Sequence, residues 1–181
     1  MRTQLMIVMT LLIGAPAAAA ALPIPVDSMP IPPYNPKQLL YLQRTPNPNT
    51  IVIELNDKDG VPDAENPVHV FWLRYTEQGG GRHAELSYIQ RTFAYGVKTR
   101  RLGPEKFEMH FVSFKKYSMY LIRAGDQKYH VFADINGKPA ILKRIYVQIH
   151  GGSFWSPHVE YIELTGTDPA TGKDVVGRIQ V

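Results

Sequence analysis

From Lys37 onward the chain alternates apolar and polar side chains at period two, and turn residues break the alternation about every eight to twelve positions. Successive side chains of an extended strand point to opposite faces, so the pattern commits most of the chain to strands joined by short turns. Ile51, Ile53 and Leu55 share one face of such a strand, with Thr50, Glu54 and Asn56 on the other. In the segment 68–75, Val68, Val70 and Trp72 face one way and Phe71, Leu73 and Tyr75 the other. Both faces are apolar, which predicts a strand covered on both sides.

The second half reads as a run of antiparallel strands at 106–114, 117–123, 128–135, 140–149, 158–164 and 174–181. Lys115-Lys116, Ala124-Gly125-Asp126 and Asn136-Gly137 are the expected hairpin turns, and Asn-Gly is the pair best able to hold φ > 0 at both turn positions. The stretch 167–172, with Pro169 early and Gly172 late, has the composition of a longer hairpin loop. One stretch departs from period two. Leu86, Ile89 and Phe93 recur at helical spacing ahead of Gly96, which predicts a short helix over 84–95, although 79–83 offers no good N-cap. The expected fold is mainly β: an antiparallel β-sandwich of about nine strands with one short helix, or alternatively a partly closed, lipocalin-like β-barrel.

Residues 1–21 read as a cleavable secretory signal peptide. Arg2 supplies the charged start, Leu5 to Ile13 the apolar run, and Ala19-Ala20-Ala21 a small-x-small cleavage site before Leu22. The apolar run is about half of the roughly 20 residues a membrane-spanning helix needs, and charged residues or proline interrupt every later apolar run. Residues 22–37 hold six prolines, at positions 23, 25, 30, 32, 33 and 36, a density that prevents helix and interior strand and predicts an extended spacer. Residues 38–181 then form a single β domain. A lipid anchor would require cysteine, and the chain has none, so an exported domain of this kind depends on its packed core rather than on disulfides. The expected destination is the periplasm or the medium.

Motifs for chemistry are sparse. There is no H-E-x-x-H, G-x-S-x-G or G-x-G-x-x-G, and thiol nucleophiles and cysteine-ligated metals are excluded outright. The acidic segment 56–66 carries four carboxylates, enough oxygen for calcium if the loop folds back, but its spacing is not that of an EF-hand and a solvated hairpin loop is the simpler expectation. Basic residues at Lys98, Arg100, Arg101, Lys115, Lys116, Lys143 and Arg144 form no single run and lack interleaved aromatics, so no nucleic-acid partner is expected. His69, His110 and His130 fall inside strands and read as packed or edge residues.

The most suggestive cluster spans 150–160. His158 and Glu160 share a strand face, and pairing of the flanking strands would bring His150 near them, a ligand set that suits zinc or ferrous iron in a metal-assisted hydrolase. In the same loop Phe154 and Trp155 occupy a turn, where large apolar side chains either fold into the open end of the core or meet a partner. Ser153 stands beside two glycines, without the strand-to-helix elbow a nucleophile would need.

The phrases Tyr41-Leu42-Gln43-Arg44-Thr45-Pro46-Asn47-Pro48-Asn49-Thr50, Asn66-Pro67-Val68-His69-Val70-Phe71-Trp72, Leu86-Ser87-Tyr88-Ile89-Gln90-Arg91, Gly151-Gly152-Ser153-Phe154-Trp155 and Gly166-Thr167-Asp168-Pro169-Ala170-Thr171-Gly172 together resemble a family of exported bacterial proteins catalogued as a domain of unknown function. The resemblance spans the β domain and implies no activity. The leading expectation is therefore a non-enzymatic envelope protein that binds another protein, a glycan or a peptide through Ser153, Phe154 and Trp155, with no cofactor. A hydrolase built on His150, His158 and Glu160 is the second reading, and a carrier enclosing a small apolar ligand, which the many aromatic strand residues would permit, is the third.

Overall fold

The structure is a computed structural model that describes residues 28–76, 80–153 and 156–181. The predicted signal peptide, residues 22–27 of the predicted spacer, and the two aromatics Phe154 and Trp155 lie outside the described residues. In chain order the elements are β1 (Gln38–Arg44), β2 (Asn47–Leu55), β3 (Asp57–Lys58), β4 (Val61–Pro62), β5 (Val68–Arg74), β6 (Arg82–Glu85), α1 (Tyr88–Phe93), β7 (Val97–Gly103), β8 (Lys106–Phe111), β9 (Phe114–Arg123), β10 (Tyr129–Ile135), β11 (Lys138–Gly152), β12 (Pro157–Thr167) and β13 (Asp174–Gln180). The protein is mainly β with one short helix, as the alternation predicts.

β11 organises the rest. Its first residues pair with β10, as in Phe132 with Ile141, and its later residues pair with β1, as in Leu42 with Ile145. β12 runs along the other edge of β11 throughout. Since a strand has only two edges, β10 and β1 share one of them in succession, and the sheet forks there. One leaf continues through β1, β2, β5 and β6, the other through β10, β9, β8 and β7, while β12 and β13 extend the far side. The path ends at β6 and β7, which do not pair with each other, so the sheet is not closed into a barrel.

Both leaves turn alternate residues toward one core. Leu40, Leu42, Ile51, Ile53 and Trp72 from the first leaf join Phe107, Met109, Met119, Leu121 and Val131 from the second, all buried. Burying each such side chain stabilises the fold by roughly 1.5–3 kcal/mol, which is how a cysteine-free domain holds together. A second cluster, Val52, Phe71 and Leu73 with Tyr41 and Tyr75, lies on the opposite face of β1, β2 and β5. β5 is thus covered on both sides, as its double apolar pattern predicts. Nearby, buried Gln43 donates from Nε2 to the Pro30 carbonyl at 2.7 Å and to Thr50 Oγ1 at 3.0 Å, and Met29 is buried, so the described end of the proline segment is held to the sheet.

Several expectations need correction. There are thirteen strands among the described residues rather than about nine, because β1, β6 and β7, and the two-residue strands β3 and β4, did not stand out in the pattern. The sheet is not wholly antiparallel, since β1 runs parallel to β11. The β8–β9 turn falls at Val112-Ser113 and not at Lys115-Lys116, because Phe111 pairs directly with Phe114 and the lysines extend β9 into solvent.

The helix is shorter than 84–95. Ala84 belongs to β6, and α1 begins after Ser87, whose Oγ accepts from Gln90 N while the Gln90 side chain accepts from Ser87 N, a capping box. Ile89 and Phe93 are exposed, so the helical spacing marks no buried face. Gly96 is required for space: a Cβ there would lie 1.9 Å from the Arg91 carbonyl oxygen.

Candidate functional site

The two leaves diverge at one end, where the β1–β2 turn, α1, the β8–β9 turn and the tip of the β11–β12 hairpin surround a cavity of about 950 Å³. Its floor is the core itself, through Leu42, Phe111, Ile145, Ile162 and Leu164. Val147, Ile149 and Val159 form one wall, Phe114 and Tyr117 another, and Phe93 of α1 stands at the mouth. Alternation produces this lining, because the residues that would interdigitate in the closed part of the sandwich face open space where the leaves separate.

Polar groups along the lining are mostly engaged by the fold. Tyr117 Oη donates to the Asp134 carbonyl at 2.6 Å, and burial, reinforced by the Asp134 charge, pushes the phenol up to about 12. Ser113 Oγ donates to the Ala94 carbonyl at 2.6 Å. Thr45, fully buried, is held at the other side by backbone and side-chain bonds to Val147 and Ile149. Arg44 differs. Its guanidinium carbon lies 5.5 Å from the Tyr95 ring centroid, and its Nε is buried without a hydrogen-bond partner. Burial raises the Tyr95 phenol above its usual range, against the opposing pull of Arg44. Tyr95 in turn meets Trp72 edge-on at 5.0 Å.

Arg44 also borders a smaller polar pocket of about 200 Å³, shared with Asn47, Asn49, Trp72, Arg74 and Gln90. Gln90 Oε1 accepts from the Trp72 indole at 3.3 Å as well as from Ser87 N, which docks α1 on the sheet.

The residues singled out in the sequence are divided by the structure. His150 and Ser153 border the cavity mouth, together with Gly151 and Gly152. Ser153 and Ser156 exchange backbone hydrogen bonds, and Ser153 Oγ accepts from Ser156 N at 3.1 Å. β11 and β12 do pair, but the register shifts between Gln148 with Tyr161 and Ile149 with Val159, leaving Glu160 as an extra residue. His158 and Glu160 are exposed and do not border the cavity that His150 borders. Among the described residues no group of three or more His, Asp or Glu side chains is arranged to hold a metal ion.

Elsewhere, the acidic 56–66 segment spends two of its four carboxylates locally. Asp57 pairs with Lys37 at 2.9 Å and accepts from Gly60 N, while Asp63 accepts from Glu65 N and Asn66 N. On the outer face of β5 and β6, His69 and His83 both contact Glu85 Oε1 at 3.0 Å, and His83 stacks on Phe71 at 4.1 Å. Their hydrogen bonds, that of His83 foremost, hold the Glu85 carboxyl below its usual range.

Arg44, Tyr95 and Tyr117 were not foreseen as site residues. Each is a single residue at the end of a strand or turn, and only the fork at β11 brings them to one cavity. No motif in the sequence marks that convergence.

A family model described as "Domain of unknown function (DUF4833)" matches residues 40–178, a span that runs from β1 to β13 and includes nearly all of the cavity lining. No curated protein and no solved structure matches the chain.

Proposed function

We propose that this chain, which belongs to the DUF4833 family, is a binding protein that takes a small apolar molecule between the open ends of its two leaves. The observation that carries this reading is the cavity itself: about 950 Å³, open to solvent, with a floor of core side chains. Pockets for small molecules typically span roughly 300–1,000 Å³ and combine apolar walls with a few polar groups, as this one does. Residues 150–153 form part of the rim, so Ser153, one of the residues expected to make contacts, borders the same cavity. Export to the periplasm or the medium belongs to the proposal and rests on residues 1–21.

Titration with a neutral apolar fluorophore such as N-phenyl-1-naphthylamine tests it. Saturable, stoichiometric enhancement is expected, lost in Val159→Trp, which fills the cavity, and kept in Val61→Trp, which changes an exposed hairpin residue. No binding, or equal binding by the Val159→Trp variant, would remove the reading in favour of a contact surface for protein, glycan or peptide on the outside of the loops.

A further inference from the structure

The polar pocket beside the cavity is a set of hydrogen-bond donors. Asn47 Oδ1 accepts from Asn49 N at 2.8 Å, and Asn49 Oδ1 accepts from Tyr75 N at 2.7 Å and from Thr76. Gln90 Oε1 accepts from Ser87 N and from Trp72. All three amides therefore spend their acceptor oxygens on the fold, and these bonds fix which end of each amide is nitrogen. What they keep for a ligand is chiefly NH₂.

Arg44 adds a positive charge, with no ion-pair partner among the described residues and with Nε buried and unbonded. Arg74 supplies a second guanidinium to the lining. Among the described residues neither this pocket nor the large cavity is lined by an Asp or Glu side chain. With each of the three amide oxygens already accepting a bond within the fold and no carboxylate in the lining, the side chains there offer a ligand mainly donors, which suits an anion. Arg44 lines both spaces, so an anionic group paired with its guanidinium would sit beside the apolar cavity.

We infer that the ligand is an anionic amphiphile, of the class of long-chain carboxylates, whose head group pairs with Arg44 beside Asn47, Asn49 and Gln90 while its chain fills the apolar cavity. This deepens the binding reading above and depends on it. Hexadecanoate is compared with hexadecan-1-ol, which has the same chain without the charge, by displacement of the neutral fluorophore from the full chain at neutral pH.

The acid should bind about tenfold or more tightly than the alcohol. Arg44→Gln should weaken the acid far more than the alcohol or the fluorophore, so that the preference for the acid disappears, and Arg44→Lys should restore part of that preference. Acetate alone, a head group without a chain, should displace nothing. Equal binding of acid and alcohol by the native protein would overturn the inference whether or not the variants fold, and would leave the apolar cavity standing. Failure of the neutral fluorophore to bind would overturn both.

Discussion

Thr45 and Ile149, 104 positions apart, are joined by two hydrogen bonds through one hydroxyl: Thr45 Oγ1 accepts from Ile149 N at 2.8 Å and donates to the Ile149 carbonyl at 3.1 Å. The residue is fully buried and follows Arg44 directly, so it fixes the β1–β2 turn against the strand that leads to the rim loop. Replacing Thr45 by Val keeps the shape but leaves the part-buried Ile149 N–H unpaired, at a cost of about 1 kcal/mol or more. Chemical denaturation of Thr45→Val should show that loss, together with weaker fluorophore binding; unchanged stability would mean that the turn is held by other contacts.

Gln90 serves both the cap of α1 and the indole of Trp72, while Ser87 serves the cap alone. Ser87→Ala should cost about 1 kcal/mol. Gln90→Ala should cost more, about 1–3 kcal/mol, because a buried indole N–H also loses its partner. Denaturation midpoints of the two variants give the order directly, and the reverse order would show that α1 does not depend on the Trp72 bond.

The tyrosines set the alkaline limit. Burial raises Tyr41, Tyr75, Tyr95, Tyr117, Tyr129 and Tyr146 above the usual phenol range, Tyr117 to about 12. A folded-state pKa above the unfolded value of about 10 means that the unfolded chain gives up its proton first. The stabilisation is complete below about pH 10 and is lost as pH rises toward 12. Tyr117→Phe should flatten the fall in stability across that window; an unchanged slope would place the Tyr117 ionisation elsewhere.

The sequence carried the period-two faces of β2 and β5, the Asn136-Gly137 turn with both residues at positive φ, and the 167–172 hairpin, because each is written in neighbouring residues. The parallel pairing of β1 with β11 was not legible, since it joins segments about a hundred positions apart and leaves no local period. The spacing of Leu86, Ile89 and Phe93 does not show where the helix begins: Ala84 packs against the core from β6, and the capping pair Ser87 and Gln90 marks the start. Ser153 and His150 were found at the rim, but Arg44, Tyr95 and Tyr117 required the fork of the two leaves to be seen.

Gly152 holds a positive φ of 87°, and a Cβ there would stand 2.5 Å from the Ser156 carbonyl oxygen and 2.7 Å from His158 N. Gly151 shares the positive φ, but a Cβ there meets nothing within 4 Å among the described residues. Gly152→Ala should therefore disturb the rim more than Gly151→Ala, read as a larger loss of fluorophore binding at similar global stability. Equal effects would make backbone conformation alone responsible.

The occupied cavity is the centre of the account, and intermolecular NOEs between the neutral fluorophore and methyl-labelled protein test it most directly. Contacts are predicted to the methyls of Val147, Val159, Ile162 and Leu164, which line the cavity, and none to Val61 on the exposed hairpin. Contacts confined to surface methyls such as Val61 and Val176, with the cavity methyls silent, would contradict it.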